Sequence, residues 1–331
     1  MHMSSDDSFL YPMRQTPPRL AIVMPCYNEE EILESTISKV ELFYNTCINE
    51  KLISTDSYLL LVDDGSKDKT WKIIYNQSKK SSNIIGLKLS RNKGHQIALL
   101  AGLEAVNNCD VIVSMDADLQ DDIQTIKDMI TCWKNGFDVV YGVRGDRTSD
   151  SFFKRETAQL FYRLMLFMGV NLVSNHADFR MMDKRALEAL LEYHERNLFL
   201  RGLVPLIGFQ STTVEYTRLE RIAGETKYPI SRMLALAIEG ITSFSVTPLR
   251  FISLIGLIIS IFSFLMIPYA LFGKINGHTV PGWASVSVAI FFMGGVQMLS
   301  LGIIGEYIGK IYLETKRRPR YHVEINTILD E

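Results

Sequence analysis

The chain opens its patterned region with an apolar run, Leu20 to Met24, closed by Pro25, and then a helical spacing of apolar positions at Ile32, Leu33, Ile37 and Val40. The alternation repeats. Tyr58 to Val62 is a second apolar run, followed by a helix expected to start near Thr70. Ile84 to Leu89 is a third, followed by a helix over Gln96 to Val106. Val111, Ile112, Val113 and Met115 form a fourth. Short β-prone runs of this kind suit strands buried on both faces. Strands alternating with helices predict an α/β fold built on a mostly parallel, Rossmann-like, doubly wound sheet.

The polar positions between the runs are as informative as the runs. The first strand ends in Pro25-Cys26-Tyr27-Asn28-Glu29-Glu30, the second in Asp63-Asp64-Gly65-Ser66-Lys67-Asp68, the third in Arg91-Asn92-Lys93-Gly94-His95, and the fourth in Asp116-Ala117-Asp118. Gly65 permits a tight turn, and Ser66 or Asp68 is suited to cap the helix that follows. Parallel strands all end at one edge of the sheet, where ligands of open α/β folds bind. A carboxylate pair two residues apart at such an end is suited to a hard divalent cation. Each acidic turn alone is most often a solvated loop. Three on one edge make that edge the candidate site.

Composition narrows the function further. The 331 residues suffice for one large or two smaller domains. The 37 acidic residues slightly outnumber the 35 basic ones, which gives no overall basic field for nucleic acid. Neither of the common glycine-rich phosphate loops is present. Cys26, Cys47, Cys109 and Cys132 share no spacing that suggests a zinc site or redox pair, so a reducing setting is expected. Residues 1–18 lack the apolar core of a signal peptide and read as a disordered lead-in.

Taken together, Pro-x-Tyr-Asn-Glu-Glu, Asp-Asp-Gly-Ser-x-Asp-x-Thr and Asp-Ala-Asp-Leu-Gln resemble the loops of family 2 glycosyltransferases of the GT-A fold. Asp178-Phe179-Arg180, Asn197 to Gly202, Arg218 through Pro229 and Gly240 to Ser245 extend the resemblance to the polyisoprenyl-phosphate glycosyltransferases, over roughly Leu20 to Tyr321. These are the enzymes resembling dolichol-phosphate-mannose synthase and bactoprenol glucosyltransferase. The resemblance implies a GT-A catalytic domain over residues 19–230 that uses a UDP-sugar as donor, a polyprenyl phosphate as acceptor, and Mg2+ or Mn2+ held by Asp118 and Asp116. Pro25, Tyr27, Asn28, Glu29, Asp63, Asp64, Lys93, Asp116 and Gln120 are the implied nucleotide-sugar residues. Asp116, Asp118, Asp178 and Arg201 are the implied catalytic set. Arg144, Arg147, Lys154, Arg155, Arg201, Arg218, Arg221 and Lys227 are the cations suited to a lipid phosphate, with a surface salt bridge the ordinary alternative for about half of them. One departure is Asp122, where the family usually has proline.

Because a phosphate monoester carries nearly two charges at neutral pH, with a second pKa of ~6, it is a nucleophile without a strong base. Asp178 is therefore expected to position groups rather than to take a proton. A single displacement implies inversion, a β-linked product from an α-linked donor. Glucose is the expected sugar; mannose, galactose, N-acetylhexosamine or an aminopentose would suit the same loops.

The last third carries two long uncharged stretches. Phe251 to Gly273 and Val280 to Gly305 each reach the ~20 residues of a bilayer-crossing helix, and residues 248–310 are expected to form a two-helix transmembrane hairpin. Basic residues in the tail, 311–331, with Arg250 before the first span, place both termini and the catalytic half on the cytosolic side of the inner membrane by the positive-inside rule. Apolar positions within residues 231–247 suit an amphipathic helix on a lipid surface, or equally ordinary packing. The apolar stripe from Phe152 to Met168 is read as core, with lipid entry as the second reading. Two-helix anchors of this kind often associate, so a homo-oligomer is expected.

Two rivals stand beside this reading. A processive polysaccharide synthase would carry Gln-x-x-Arg-Trp, and none of Trp71, Trp133 or Trp283 lies in one. A non-catalytic membrane scaffold or translocator would have no use for both Asp clusters.

Overall fold

The computed structural model describes residues 14, 16–118, 120–145, 176–196, 199–217, 245–275 and 282–327. Among them, eight strands form one sheet: β1 (Leu20–Cys26), β2 (Tyr58–Asp63), β3 (Ile84–Leu89), β4 (Val111–Ser114), β5 (Val139–Arg144), β6 (His176–Asp183), β7 (Ser211–Tyr216) and β8 (Val323–Asn326). Their order is β7-β5-β6-β4-β1-β2-β3-β8. Between them run α1 (Leu33–Asn49), α2 (Thr70–Lys80), α3 (His95–Ala105), α4 (Thr125–Lys134), α5 (Lys184–Leu191) and α6 (Leu200–Leu206).

The four runs read from the sequence form a parallel block, β3-β2-β1-β4, and β5 and β7 form a second parallel pair. Every residue of β1, β2 and β4 is buried, as continuous apolar runs covered on both faces require. Leu33, Ile37, Val40, Tyr44 and Cys47 are buried along α1, a stripe at helical spacing. On the other side of β1, α3 comes so close that a Cβ on Gly102 would stand 2.4 Å from Val23 Cγ1. Pro25 fits a central strand for a local reason. β4 pairs with β1 only as far as Val23, so the missing N–H of Pro25 faces a neighbour that has already turned away.

The sheet is mixed: β1 to β5 and β7 run in one direction, as expected of a mostly parallel sheet, and two strands run against them. β6 enters antiparallel between β4 and β5, and β8 lies antiparallel against β3. The architecture is a GT-A-like α/β fold with a mixed sheet. By inserting β6 beside β4, the chain brings Asp178 to the edge where β4 opens into Asp116 and Asp118. Ser114 Oγ fixes the register by donating to the Asp178 carbonyl at 2.5 Å.

Two compact units divide the chain, and the sheet belongs to the first, together with the C-terminal strand. The second holds α7 (Thr247–Ile275) and α8 (Trp283–Lys316). Within it, Tyr307 donates to the Ser245 carbonyl at 2.5 Å.

The expected transmembrane hairpin is corrected at this point, and with it the two-span inner-membrane placement. Among the described residues no helix is long and apolar enough to cross a membrane. The expectation rested on the uncharged length of the two stretches. α7 contains Arg250 and Lys274, and α8 continues without a break through Glu306, Lys310, Glu314 and Lys316. The proposed interface helix, 231–247, lies almost entirely outside the described residues, as does the stripe from Phe152 to Met168. Within the expected lead-in, Arg14 is held firmly: it donates to the carbonyls of Trp133 and Phe137 and to Asp138 Oδ1 at 2.7 Å.

Candidate active site

The site is built where β1, β2 and β4 end. Its floor is a pair of interlocked loops. Asn28, in the left-handed region at φ 54°, gives its N–H to Ser66 Oγ at 3.0 Å, and its Oδ1 accepts from Lys67 N at 2.9 Å. Glu29 N donates to Thr70 Oγ1 and Glu30 N to Asp68 Oδ2. Asn28 thus serves the loop's shape. Pro25, Tyr27, Glu29, Asp64, Asn92 and His95 surround a cavity of about 270 Å³, with Tyr27 exposed at its rim.

Of the second acidic pair, Asp63 is fully buried, with Oδ1 accepting from Ser66 N and Oδ2 without a hydrogen-bond partner; burial pushes its carboxyl up. Asp64 is committed on both oxygens. Oδ1 accepts from Lys93 N at 2.7 Å and Oδ2 from Gly94 N at 2.8 Å, while Asp64 N donates to the Cys26 carbonyl at 2.9 Å. Lys93 enters this site through its backbone N–H. The turn leaves no room above Gly65, which has φ +66°: a Cβ there would meet Arg91 C and Asn92 N at 2.6 Å.

The β4 loop holds the other carboxylates. Gln120 N donates to Asp118 Oδ1 at 3.1 Å, and Thr36 Oγ1 to the Ala117 carbonyl at 2.8 Å, so the loop is pinned at both ends. The Asp116 side chain is 43% exposed, yet its Oδ1 is turned inward and lacks a hydrogen-bond partner. Burial, with Asp178, Asp121 and Asp118 nearby, raises its carboxyl to about 6 against the lowering effect of His95. Asp122 is accounted for: its Oδ1 accepts from Gln124 N at 3.0 Å, shaping the turn into α4 instead of adding a ligand to the site.

Asp178 faces this loop from β6. Arg180 Nη2 donates to Oδ1 at 2.9 Å, and Arg201 donates through Nε to Oδ1 at 3.2 Å and through Nη2 to Oδ2 at 3.0 Å. Burial pushes the carboxyl up, but the His95 hydrogen bond and the two guanidinium groups outweigh it and hold Asp178 well below the usual carboxylate range. Arg180 is almost wholly buried, at 1% exposure, whereas Arg201 is 40% exposed at the site.

Four contributors were given no role by the sequence reading. His95 places Nε2 3.5 Å from both Asp116 Oδ1 and Asp178 Oδ2. Burial lowers its imidazole, and the Asp178 hydrogen bond and the Asp116 charge raise it beyond that, above its ordinary value. Its position at a strand-to-helix loop on the same edge was the available signal. Arg180 neutralises Asp178. Asp121, buried, accepts a short hydrogen bond from the Tyr216 hydroxyl, and Tyr216 packs edge-on against Phe179.

Of the cations expected at a lipid phosphate, Arg144 ends β5, while Arg147, Lys154, Arg155, Arg218, Arg221 and Lys227 lie outside the described residues. Among the described residues no cluster of three or more His, Cys, Asp or Glu forms a ready-made metal cage. The donors nonetheless suit a hard cation bound mainly through phosphate and water. Asp116 offers an inward oxygen without a hydrogen-bond partner, two residues from the carboxylate of Asp118.

The comparisons agree with this geometry. Residues 21–191 match the family model described as Glycosyl transferase family 2. An uncharacterized glycosyltransferase of Bacillus subtilis (strain 168), YkoT, is 52% identical over 95% of this chain and 94% of its own length. The bactoprenol glucosyl transferase of Shigella phage SfX is 39% identical over 92% of this chain and 99% of its own, and a prophage bactoprenol glucosyl transferase homolog of Escherichia coli (strain K12) is 38% identical over 92% and 98%. The chain is a glycosyltransferase that belongs to glycosyl transferase family 2, in the group that holds the bactoprenol glucosyl transferases.

Proposed function

We propose that the protein transfers a single hexose, glucose from UDP-glucose, to a polyprenyl phosphate such as undecaprenyl phosphate, with inversion. One observation carries the reading. The Asp116–Asp118 loop, suited to a metal-bound diphosphate, stands opposite Asp178 and the half-exposed Arg201, suited to a second anion. The names of the phage and prophage relatives support the lipid acceptor and the sugar.

Asp118 and Asp116 would hold Mg2+ or Mn2+, which when bound neutralises charge on the departing diphosphate. The chain's own residues do the rest. The Pro25–Glu29 loop, Asp63 and the Asn92–Gly94 turn shape the slot for the nucleoside, and Gln120 and Lys93 border it. Arg201, with Arg144, Lys154, Arg155, Arg218, Arg221 and Lys227, draws the acceptor phosphate to the anomeric carbon. A carboxylate held far below its usual range is a poor proton acceptor near neutral pH, so Asp178 orients Arg201 and leaves attack to the phosphate dianion.

The test is a panel of labelled UDP-sugars incubated with undecaprenyl phosphate, scored by label extracted into organic solvent. Label from UDP-glucose that vanishes with EDTA and returns with Mg2+ or Mn2+ is the expected result. No extractable product from any donor overturns the reading, and an α-linked product overturns direct displacement.

A further inference from the structure

The start of α3 gathers more of the site than any other backbone segment. Asp64, at the end of β2, holds the N–H groups of Lys93 and Gly94. His95 follows, equidistant from Asp116 beyond β4 and Asp178 on β6. Gln96 comes next, and its Oε1 accepts from Leu200 N at 3.1 Å, at the first residue of α6 and beside Arg201. The Leu200 carbonyl accepts in turn from Arg180 Nη1 at 3.4 Å. Four separate elements are tied to four consecutive positions.

We propose that His95 is a positioning residue that clamps the Asp116–Asp118 loop to the Asp178–Arg201 pair and so sets the spacing between the donor-side and acceptor-side groups. This rests on the reading of the site as a glycosyltransferase centre. Asp116 and Asp178 are both carboxylates and repel at close range, and the imidazole between them, hydrogen-bonded to Asp178 and 3.5 Å from Asp116 Oδ1, offsets that repulsion. Two features suit His95 to the task. It extends from a backbone that Asp64 fixes at two points, and its Nε2 sits at the same distance from each carboxylate. Groups that orient metal-binding carboxylates in this way typically contribute 10–100-fold in metal affinity or activity.

The experiment compares wild type, His95→Ala and His95→Gln in the intact chain, first by Mn2+ binding in the presence of UDP, followed by electron paramagnetic resonance, and then by steady-state transfer. His95→Ala is expected to weaken Mn2+ binding by about 10–100-fold and to raise KM for the acceptor, two effects on opposite sides of the site. His95→Gln, whose side-chain amide keeps an N–H donor, is expected to recover most of both. Thermal unfolding of each variant separates a loosened site from a loosened fold, and His95→Gln stands in should His95→Ala fail to fold. Unchanged Mn2+ affinity and acceptor KM in a folded His95→Ala, or no recovery in a folded His95→Gln, overturn the proposal. Wild type that binds Mn2+ and UDP yet transfers no sugar overturns the functional reading instead and leaves the binding comparison in force.

Discussion

Asp178 and Arg180 show how one residue can be both structural and functional. Arg180 is buried at 1% exposure and depends on Asp178 for its counter-charge. Breaking a buried pair by removing one partner costs about 3–5 kcal/mol, so Asp178→Ala should fall in that range by urea denaturation. Asp178→Asn, which keeps one acceptor oxygen, should fall at its lower end or below. Its activity per folded molecule should stay within ~10-fold of wild type, because a true proton acceptor contributes 10²–10⁴. A loss beyond 10²-fold in folded Asp178→Asn would return the base role to this carboxylate. Gly65→Ala is a second case at this scale. With φ +66° and backbone atoms 2.6 Å from the new Cβ, it should cost more than about 1 kcal/mol and weaken nucleotide binding, read by calorimetric titration of UDP.

Among the elements, those with apolar runs covered on both faces were legible in the sequence. β1 to β4 and their helices fall close to where the periodicity put them. β6 was not, because His176-Ala-Asp-Phe-Arg-Met-Met-Asp mixes two carboxylates and an arginine into a strand that pairs antiparallel on both sides. The polar residues that disguise it are the ones that make the site. β8 was hidden for another reason: Val-Glu-Ile-Asn reads as tail until its partner β3 is known. The carboxylates of the Asp116–Asp118 loop could be placed at the site's edge from their position after β4. His95 and the Asp121–Tyr216 contact could not, since each depends on a residue distant in sequence, and Arg180, though two residues from Asp178, shows its burial only in the fold. The same holds for Arg14, whose hydrogen bonds reach Trp133, Phe137 and Asp138. Arg14→Ala should destabilise by about 1.5–3 kcal/mol, the usual worth of hydrogen bonds to a charged group; Arg185 remains on Asp138 and limits the loss. A denaturation midpoint equal to wild type would show that Arg14 does not anchor the segment.

For the whole molecule, the two units differ in what the sequence reveals of them. Periodicity and loop chemistry identified the catalytic sheet, while the uncharged stretches suggested spans that the described helices do not support. The C-terminal segment belongs to the sheet. Thr327 and Gly86 exchange backbone and side-chain hydrogen bonds, Lys88 pairs with Glu324 at 2.8 Å, and Arg320 reaches Glu104 at 3.2 Å. Removing residues 318–331 should leave β3 as an open strand edge, and the truncated chain should form larger aggregates in light scattering than the full chain.

The pairing of Leu87 with Asn326 also has a consequence in time. A ribosome finishes β3 long before it reaches its neighbour β8. Until then the sheet waits with one side unclosed, and contacts so distant along the chain form slowly. The newly made sheet is therefore exposed to misassembly throughout the interval between β3 and the emergence of β8.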